Sequence, residues 1–253
     1  MKKIIAFLLI VATLVCGLVG CTTTPAAPEV DPNAKSEGVM TYDEYIAAEL
    51  ESAVVIEAFV QAKQGWWKDQ ATVYLQDGKG GYLAYNMACS EADYAKLTVG
   101  TKIKVSGTKT AWAGEVELKE GATFEFAGAD TWVATAADLT AVLGTDDLIK
   151  HQNEFAAFKG LKIEASTDAD GNEVAFLRNW DGSGLEGDDS DLYFKASVNG
   201  ATYTFVIEYY LTGADSDAYK AVEALKVGDT VDMEGFVYWY DGVQPHINKI
   251  TVK

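Results

Sequence analysis

The sequence has 253 residues, 49% of them hydrophobic and 23% charged, which is typical of a folded globular protein and excludes a disordered chain. Its 38 acidic and 20 basic residues give a formal net charge of −18. Proteins that bind the phosphate backbone of nucleic acids depend on clustered Lys and Arg. We therefore expect no nucleic-acid partner and no adsorption to anionic lipid headgroups.

The N-terminus has the pattern of an export signal. Lys2 and Lys3 precede an apolar run that is short for a membrane-spanning helix. The run ends in Leu18-Val19-Gly20-Cys21, which resembles a bacterial lipobox. We expect a lipoprotein signal peptide over residues 1–20 and a palmitate-type lipid anchor on Cys21. The protein would then lie on the extracytoplasmic side of the cell membrane; an uncleaved membrane anchor is the alternative.

Residues 21–40 are predicted to be the lipidated cysteine followed by a flexible tether, because they contain three of the four prolines. Beyond this segment the chain has one cysteine, Cys89, at the end of an apolar strand and without a neighbouring histidine. We interpret it as a buried structural thiol rather than a nucleophile.

In chain order, the first predicted elements form one unit. Thr41 and Glu44 form a capping box for a short helix. Asp77-Gly78-Lys79-Gly80-Gly81 is a hairpin turn, and Ser90 caps a second helix. The predicted strands are 54–62, 72–76, 82–88, 101–108, 115–118 and 123–126.

The same order of elements returns later in the chain. Leu97–Gly114 aligns without gaps with Leu225–Gly242, with Gly100, Gly107 and Gly114 matched by glycines. The predicted helices of the second copy are 148–154 and 216–225, and its strands are 161–166, 174–178, 192–198, 202–210, 230–238 and 243–252. Asn199-Gly200 is a hairpin turn.

The order of the predicted elements, three strands followed by a helix and two more strands, resembles that of the OB-fold, a five-stranded Greek-key barrel. The predicted fold class is therefore mainly β with short helices: two tandem OB-fold-like five-stranded barrels, each preceded by a short helix. The predicted domains are residues 41–128 and 129–253, the second with a long loop at 167–191.

With its segments GWW, NMACSEADY and EGFVYWYDGVQPHI, the chain is also similar to lipoproteins of Gram-positive, Clostridia-type bacteria. That resemblance implies the tandem architecture and no particular ligand.

OB-folds bind on strands 2 and 3 and on the loops joining strands 1–2 and 4–5. In the first copy these loops hold three tryptophans, with Tyr74, Tyr82 and Tyr85 on nearby strands. Exposed rings stack on sugar faces; packing against the helix or the barrel end is the alternative. The ligand-binding candidates are Trp66, Trp67, Trp112, Tyr238, Trp239 and Tyr240. His246, beside a turn, is interpreted as a surface group, with a polar site residue as the alternative.

The long loop of the second copy is rich in glycine and acidic residues. Calcium prefers carboxylate oxygens on such loops, but Leu177 stands where an EF-hand loop starting at Ser166 needs glutamate. A solvated acidic loop is the favoured interpretation. No cofactor is expected, and calcium binding is possible but has no motif that supports it. The weak metal candidates are Asp181, Glu186, Asp188, Asp189 and Asp191.

Enzyme motifs such as G-x-S-x-G, H-E-x-x-H and C-x-x-C do not occur, and His151 and His246 are too few for the usual triad or zinc sites. We expect a non-enzymatic, membrane-anchored surface lipoprotein that binds an extracellular ligand, a glycan being favoured, through aromatic loop rims. An adaptor for envelope proteins is the alternative, and a weak hydrolase is a third possibility.

Overall fold

The computed structural model describes residues 30–253. The predicted signal peptide, the lipidation site Cys21 and the first part of the predicted tether lie outside the described residues. Within residues 30–253, no helix has the length and apolar character needed to cross a bilayer.

The described chain is mostly β-structure with short helices. The α-helices are α1 (Tyr42–Ala47), α2 (Glu91–Tyr94), α3 (Tyr209–Thr212) and α4 (Asp217–Glu223), with a 3-10 helix at Asp146–His151. The strands are β1 (Ala53–Lys63), β2 (Gln70–Gln76), β3 (Gly81–Ala88), β4 (Thr101–Trp112), β5 (Glu115–Leu118), β6 (Thr123–Thr131), β7 (Ala137–Asp138), β8 (Phe155–Glu164), β9 (Ser166–Thr167), β10 (Glu173–Val174), β11 (Phe176–Arg178), β12 (Leu192–Val198), β13 (Ala201–Ile207), β14 (Thr230–Phe236) and β15 (His246–Val252).

The first barrel closes in the order β1-β2-β3-β5-β4, and β4 pairs back onto β1. β3 and β5 run parallel, whereas the other neighbouring strands are antiparallel. Alternate residues of β2, Val73 and Leu75, lie in the barrel core because successive strand side chains face opposite sides. Cys89 is buried in the same core, as expected.

The second barrel repeats this arrangement with β8-β12-β13-β15-β14, and β8 pairs with both β12 and β14. Its β13 and β15 are again the parallel pair. The fold class predicted from the sequence, two tandem OB-fold-like five-stranded barrels with short helices, is confirmed. The strand over Leu192–Val198 and the turn at Asn199-Gly200, where both residues have positive φ, are also as predicted.

The helix caps agree with the sequence, whereas several element boundaries differ; β8, for example, begins at Phe155 and not at position 161. The Thr41 N–H donates to Glu44 Oε2 and the Glu44 N–H donates to Thr41 Oγ1, which completes the predicted capping box. The leading helix of the second copy is a 3-10 helix that ends at His151, and Asn153 follows with a φ of 66°. The strand predicted to reach position 210 ends at Ile207, because the chain turns into α3.

Residues 31–40, predicted to be part of the tether, lie against the first barrel. Lys35 Nζ is 2.5 Å from Asp77 Oδ2, and Ser36 Oγ donates to Glu57 Oε2 at 2.7 Å. Lys102 Nζ donates to the carbonyl of Ala34 at 2.8 Å. The segment is held because it supplies a cation and hydrogen bonds to carboxylates that are buried on the barrel wall.

The two barrels pack directly against each other. Tyr74 and Leu83, on the outward faces of β2 and β3, form a buried cluster with Phe236 of the second barrel. The rings of Tyr74 and Phe236 stack with their centroids 4.2 Å apart. The second barrel therefore covers the β2–β3 face of the first.

Candidate functional site

The second barrel carries a pocket of about 610 Å³ on the outward face of β12 and β13. The long loop between β8 and β12 supplies Trp180 to its wall, and the segment between β14 and β15 supplies Tyr238, Tyr240 and Gln244. These are strands 2 and 3 and the 1–2 and 4–5 loops of an OB-fold, where such barrels bind ligands. Four aromatic rings and four hydrogen-bonding side chains line the pocket.

The aromatic side of the pocket combines exposed and half-buried rings. Trp180 is 76% exposed and Tyr240 is 51% exposed. Tyr238 is half-buried, and its ring stacks on His246 with the centroids 4.0 Å apart. Burial, together with the nearby negative charges of Asp191 and Glu208, raises the pKa of Tyr193 to about 12. The exposed rings are open to a ligand, while the half-buried ones are fixed by their neighbours.

The polar floor is built from residues of both barrels. Glu208, which directly follows β13, accepts a hydrogen bond from Gln64 Nε2 of the first barrel through Oε1, at 2.5 Å. Its other oxygen, Oε2, is buried, has no hydrogen-bond partner in the described part of the chain and lies 3.3 Å from His246 Nδ1. That nitrogen lies 2.9 Å from the Tyr74 hydroxyl of the first barrel. His246 is thus buried in the floor, and its interpretation as a surface group is wrong.

A second carboxylate, Asp191, lies in the same pocket. Its Oδ1 accepts the backbone N–H of Tyr209 at 2.8 Å. Burial raises the pKa of Asp191 and the charge of Glu208 adds to this rise, whereas the hydrogen bond from Tyr209 and the nearby His246 oppose it. The two carboxylates therefore interact unfavourably with each other across the pocket.

A shallower groove of about 450 Å³ adjoins this pocket. Tyr85 and Trp112 of the first barrel line the groove together with Tyr238, which also lines the pocket. Trp112 is 63% exposed. Since the two depressions share Tyr238, they form one aromatic surface that crosses from the second barrel to the first.

The structure separates the six predicted ligand-binding residues. Tyr238 and Tyr240 line the pocket, and Trp112 lines the groove. Trp66 and Trp67, which the sequence offered as ligand-binding candidates beside Trp112, line neither depression. Trp66 is instead half-buried and donates its ring N–H to the Cys89 carbonyl at 2.9 Å.

Trp239 is held in the junction between the barrels. Its ring packs on the second core, and its backbone N–H donates to Glu115 Oε2 at 2.9 Å. A Cβ on Gly114 of the first barrel would come within 3.1 Å of that ring. Trp239 therefore has a structural role. Alternation along the strand could not show whether its ring is packed at the junction or exposed to a ligand.

The tyrosines predicted to flank a site on the first barrel are also mostly buried. Tyr82 lies in the core of that barrel, and Tyr74 lies between the barrels. Only Tyr85 of the three is exposed within the described chain. The ligand-binding face of the first OB-fold is thus occupied by the second barrel.

Sequence reasoning missed Trp180, Tyr193 and Glu208 as site residues. Tyr193 had a signal: it alternates with Leu192 and Phe194, which are core residues, so it must face outward. Trp180 and Glu208 had none, because their positions depend on how the long loop and the first barrel close around the pocket.

The weak metal candidates do not converge. Asp181 Oδ1 accepts the N–H of Ser183, and Asp188 Oδ2 accepts the N–H of Leu185, both at 3.0 Å. Asp191 caps Tyr209 instead, while Glu186 and Asp189 are exposed. Among residues 30–253, no three His, Cys, Asp or Glu side chains are placed to hold a metal ion. The carboxylates with hydrogen bonds thus stabilise turns of the loop and its contact with α3.

No protein-family model and no curated protein matches the chain. Among solved structures, it is similar to the HINa domain of Ifi202 in complex with a 20-base-pair double-stranded DNA, at 12% identity and a TM-score of 0.35, covering 80% of this chain and 98% of that one. It is also similar to p202 HIN1 in complex with a 12-mer double-stranded DNA, at 12% identity and a TM-score of 0.32, covering 89% of this chain and 100% of that one.

A third match is an aspartyl tRNA synthetase from Entamoeba histolytica, at 18% identity and a TM-score of 0.28. It covers 36% of this chain, which spans only 22% of the synthetase. At these identities the matches bear on the fold alone.

The expectation of no nucleic-acid partner is contradicted by these matches, because HIN domains of similar fold are seen bound to double-stranded DNA. Net charge is a sum over the whole chain, whereas a binding surface depends on where the individual charges lie. The exclusion drawn from the net charge is therefore wrong. The likeness in fold by itself assigns no ligand to this chain.

Proposed function

We propose that this protein is a non-enzymatic surface lipoprotein that binds an extracellular glycan in the pocket of its second barrel. The observation that carries the proposal is the pocket itself, in which Trp180, Tyr238 and Tyr240 border a floor of hydrogen-bonding side chains. Cys21 would carry the lipid, and the barrels would lie outside the membrane.

The chemistry of the pocket suits a sugar ring. A pyranose has an apolar C–H face, which packs on aromatic rings, and a rim of hydroxyls, which donate to carboxylates and amides. Trp180 and Tyr240 are the exposed rings, while Asp191, Glu208 and Gln244 supply acceptors. The adjoining groove with Trp112 gives room for further sugar units.

A glycan array probed with the full-length chain tests this proposal. Trp180→Ala and Tyr240→Ala should abolish retention, because each removes an exposed stacking ring from the pocket. Trp67→Ala is the matched control, since Trp67 is 66% exposed but lies outside the pocket and the groove. Retention lost only in the Trp67 variant would overturn the proposed site. Retention of a DNA duplex or of an envelope protein, with no glycan bound, would overturn the proposed function.

Hydrolysis is the second candidate function, because Asp191 and Glu208 share one pocket and glycosidases need two carboxyl groups. Both carboxylates already hold structural partners, the Tyr209 N–H and the Gln64 amide. Prolonged incubation with any glycan retained on the array distinguishes the two functions. Intact glycan supports binding alone, and shortened products that disappear with Glu208→Gln support hydrolysis.

The anchoring part of the proposal has its own test. Cells expressing the chain are labelled with an alkyne-bearing palmitate analogue, which is detected on the purified protein. Label should appear on the parent chain and disappear with Cys21→Ala, whereas Cys89→Ala, which alters a buried thiol, should keep it. Label that persists in the Cys21 variant would contradict lipidation at that residue.

A further inference from the structure

We propose that the Asp191–Glu208 end of the pocket binds a positively charged amine, so that the glycan recognised is one with free amino groups. This inference rests on the proposed function, because it names the class of sugar that the same pocket takes. It is carried by the charges, the aromatic rings and one unpartnered oxygen of the pocket.

Two carboxylates at this end of the pocket face one histidine, His246, and no lysine or arginine lies among the described lining residues. His246 Nδ1 lies 3.3 Å from Glu208 Oε2 and makes a closer contact, 2.9 Å, with the Tyr74 hydroxyl. Buried carboxylates are costly unless a cation or several donors compensate them. A cationic ligand group would provide that compensation.

The carboxylate of Glu208 is only partly satisfied. Its Oε1 is occupied by Gln64, whereas its buried Oε2 has no hydrogen-bond partner among residues 30–253. An ammonium group has three donors and a positive charge, so it suits a pocket with more than one carboxylate. A sugar hydroxyl would supply a donor but no positive charge.

The aromatic residues favour the same ligand group. Tyr193 lies near both carboxylates, and the rings of Tyr238, Trp180 and Tyr240 line the same pocket. The face of an aromatic ring is electron-rich and attracts a cation that lies within about 6 Å of it. Rings and carboxylates together form the kind of cage that selects ammonium groups over neutral ones.

An amine of this kind has two sources, an amino sugar with a free amine or a free polyamine. We therefore compare a glucosamine tetramer, its fully N-acetylated counterpart and spermidine by isothermal titration calorimetry on the full-length chain. The glucosamine tetramer should bind about tenfold or more tightly than the acetylated one, because acetylation removes a charged hydrogen-bond donor. Glu208→Gln and Asp191→Asn should each remove most of that difference, while Glu186→Gln, an exposed change in the same loop, should leave it unaltered.

The outcomes separate the two proposals. Equal binding of both tetramers, lost with Trp180→Ala, would keep the glycan function and overturn the amine subsite. Binding of spermidine alone, dependent on Glu208, would keep the amine subsite and overturn the glycan function. A preference for the amine that persists in Glu208→Gln and Asp191→Asn would also overturn the inference.

Discussion

The hydroxyl of Tyr74 in the first barrel lies 2.9 Å from Nδ1 of His246 in the second. His246 lines the pocket, whereas Tyr74 lies beneath it, in the buried cluster between the barrels. The floor of the candidate site is therefore part of the junction between the two barrels. Changes in the junction should affect both stability and binding.

Removal of the Tyr74 hydroxyl tests this coupling. Tyr74→Phe should lower the free energy of unfolding by about 1 kcal/mol, because His246 loses a buried hydrogen-bond partner. Glycan affinity should fall as well, since His246 and Glu208 lose their fixed positions. Urea denaturation and calorimetry check the two effects. Tyr85→Phe, a change at an exposed ring, is the control and should leave stability unchanged.

The junction also depends on a close approach at Gly81. A Cβ on this residue would lie 2.2 Å from the backbone carbon of Asn153 in the second barrel. Gly81→Ala should therefore push the barrels apart and cost about 1–3 kcal/mol of stability. Gly65→Ala, where a Cβ meets only the Tyr210 carbonyl at 3.8 Å, should be tolerated. A Gly81→Ala chain that melts at the parent temperature would contradict this close packing.

Lys109 fixes the leading helix of the first barrel. Its buried ammonium donates to the carbonyls of Tyr45, Ile46 and Ala48, at the C-terminal end of α1. Lys109→Met keeps the aliphatic stem but leaves these carbonyls without their donor, and should cost about 2 kcal/mol. Lys119→Met breaks only an exposed ion pair with Glu51 and should cost much less. Equal losses in thermal denaturation of the two variants would refute the capping role.

The pH dependence of stability should reveal Glu117, a buried carboxyl at the groove. Burial raises its pKa from 4.5 to about 7. The folded chain therefore holds this proton more tightly than the unfolded chain, and its contribution to stability is lost as the pH rises from 4.5 to 7. Glu117→Gln should remove a decline of about 3 kcal/mol, the free energy that corresponds to this rise in pKa.

Chemical denaturation at several pH values between these limits checks the prediction. Glu120→Gln alters an exposed carboxyl of the same groove and should leave the pH profile unchanged. A Glu117→Gln profile that parallels the parent profile would show that Glu117 does not bind the extra proton.

The fold was predictable because its signals are local. The strand predicted over 192–198 has Leu192 and Phe194 in the core, as alternation along a strand requires, and Asn199-Gly200 adopts the left-handed backbone that its turn requires. The Thr41 capping box is likewise contained within four residues. The predicted ends of elements were wrong where a contact with a distant part of the chain determines them. The predicted helix 148–154 is an example, because the side-chain amide of Asn153 donates to the carbonyl of Val116 in the first barrel.

The site was only partly predictable, because the equivalent faces of the two barrels differ in burial: one is covered by the other barrel and one lines the pocket. Tyr74 pairs with Leu83 across β2 and β3, and Tyr193 pairs with Val206 across β12 and β13. Both pairs place a tyrosine opposite an aliphatic residue on the ligand-binding face of an OB-fold. The packing of one barrel on the other buries the first pair, while the second pair lines the pocket. Nothing local in the sequence distinguishes them.

The most direct test of glycan binding in the second barrel is fluorine NMR of the full-length chain labelled with fluorotryptophan. Its six tryptophans give separate signals, which Trp→Phe variants assign. Titration with the glucosamine tetramer should shift the Trp180 signal and, to a smaller extent, that of Trp112, while Trp67 stays unchanged. A shift of Trp67 alone, or no shift at a saturating concentration, would contradict binding in this pocket.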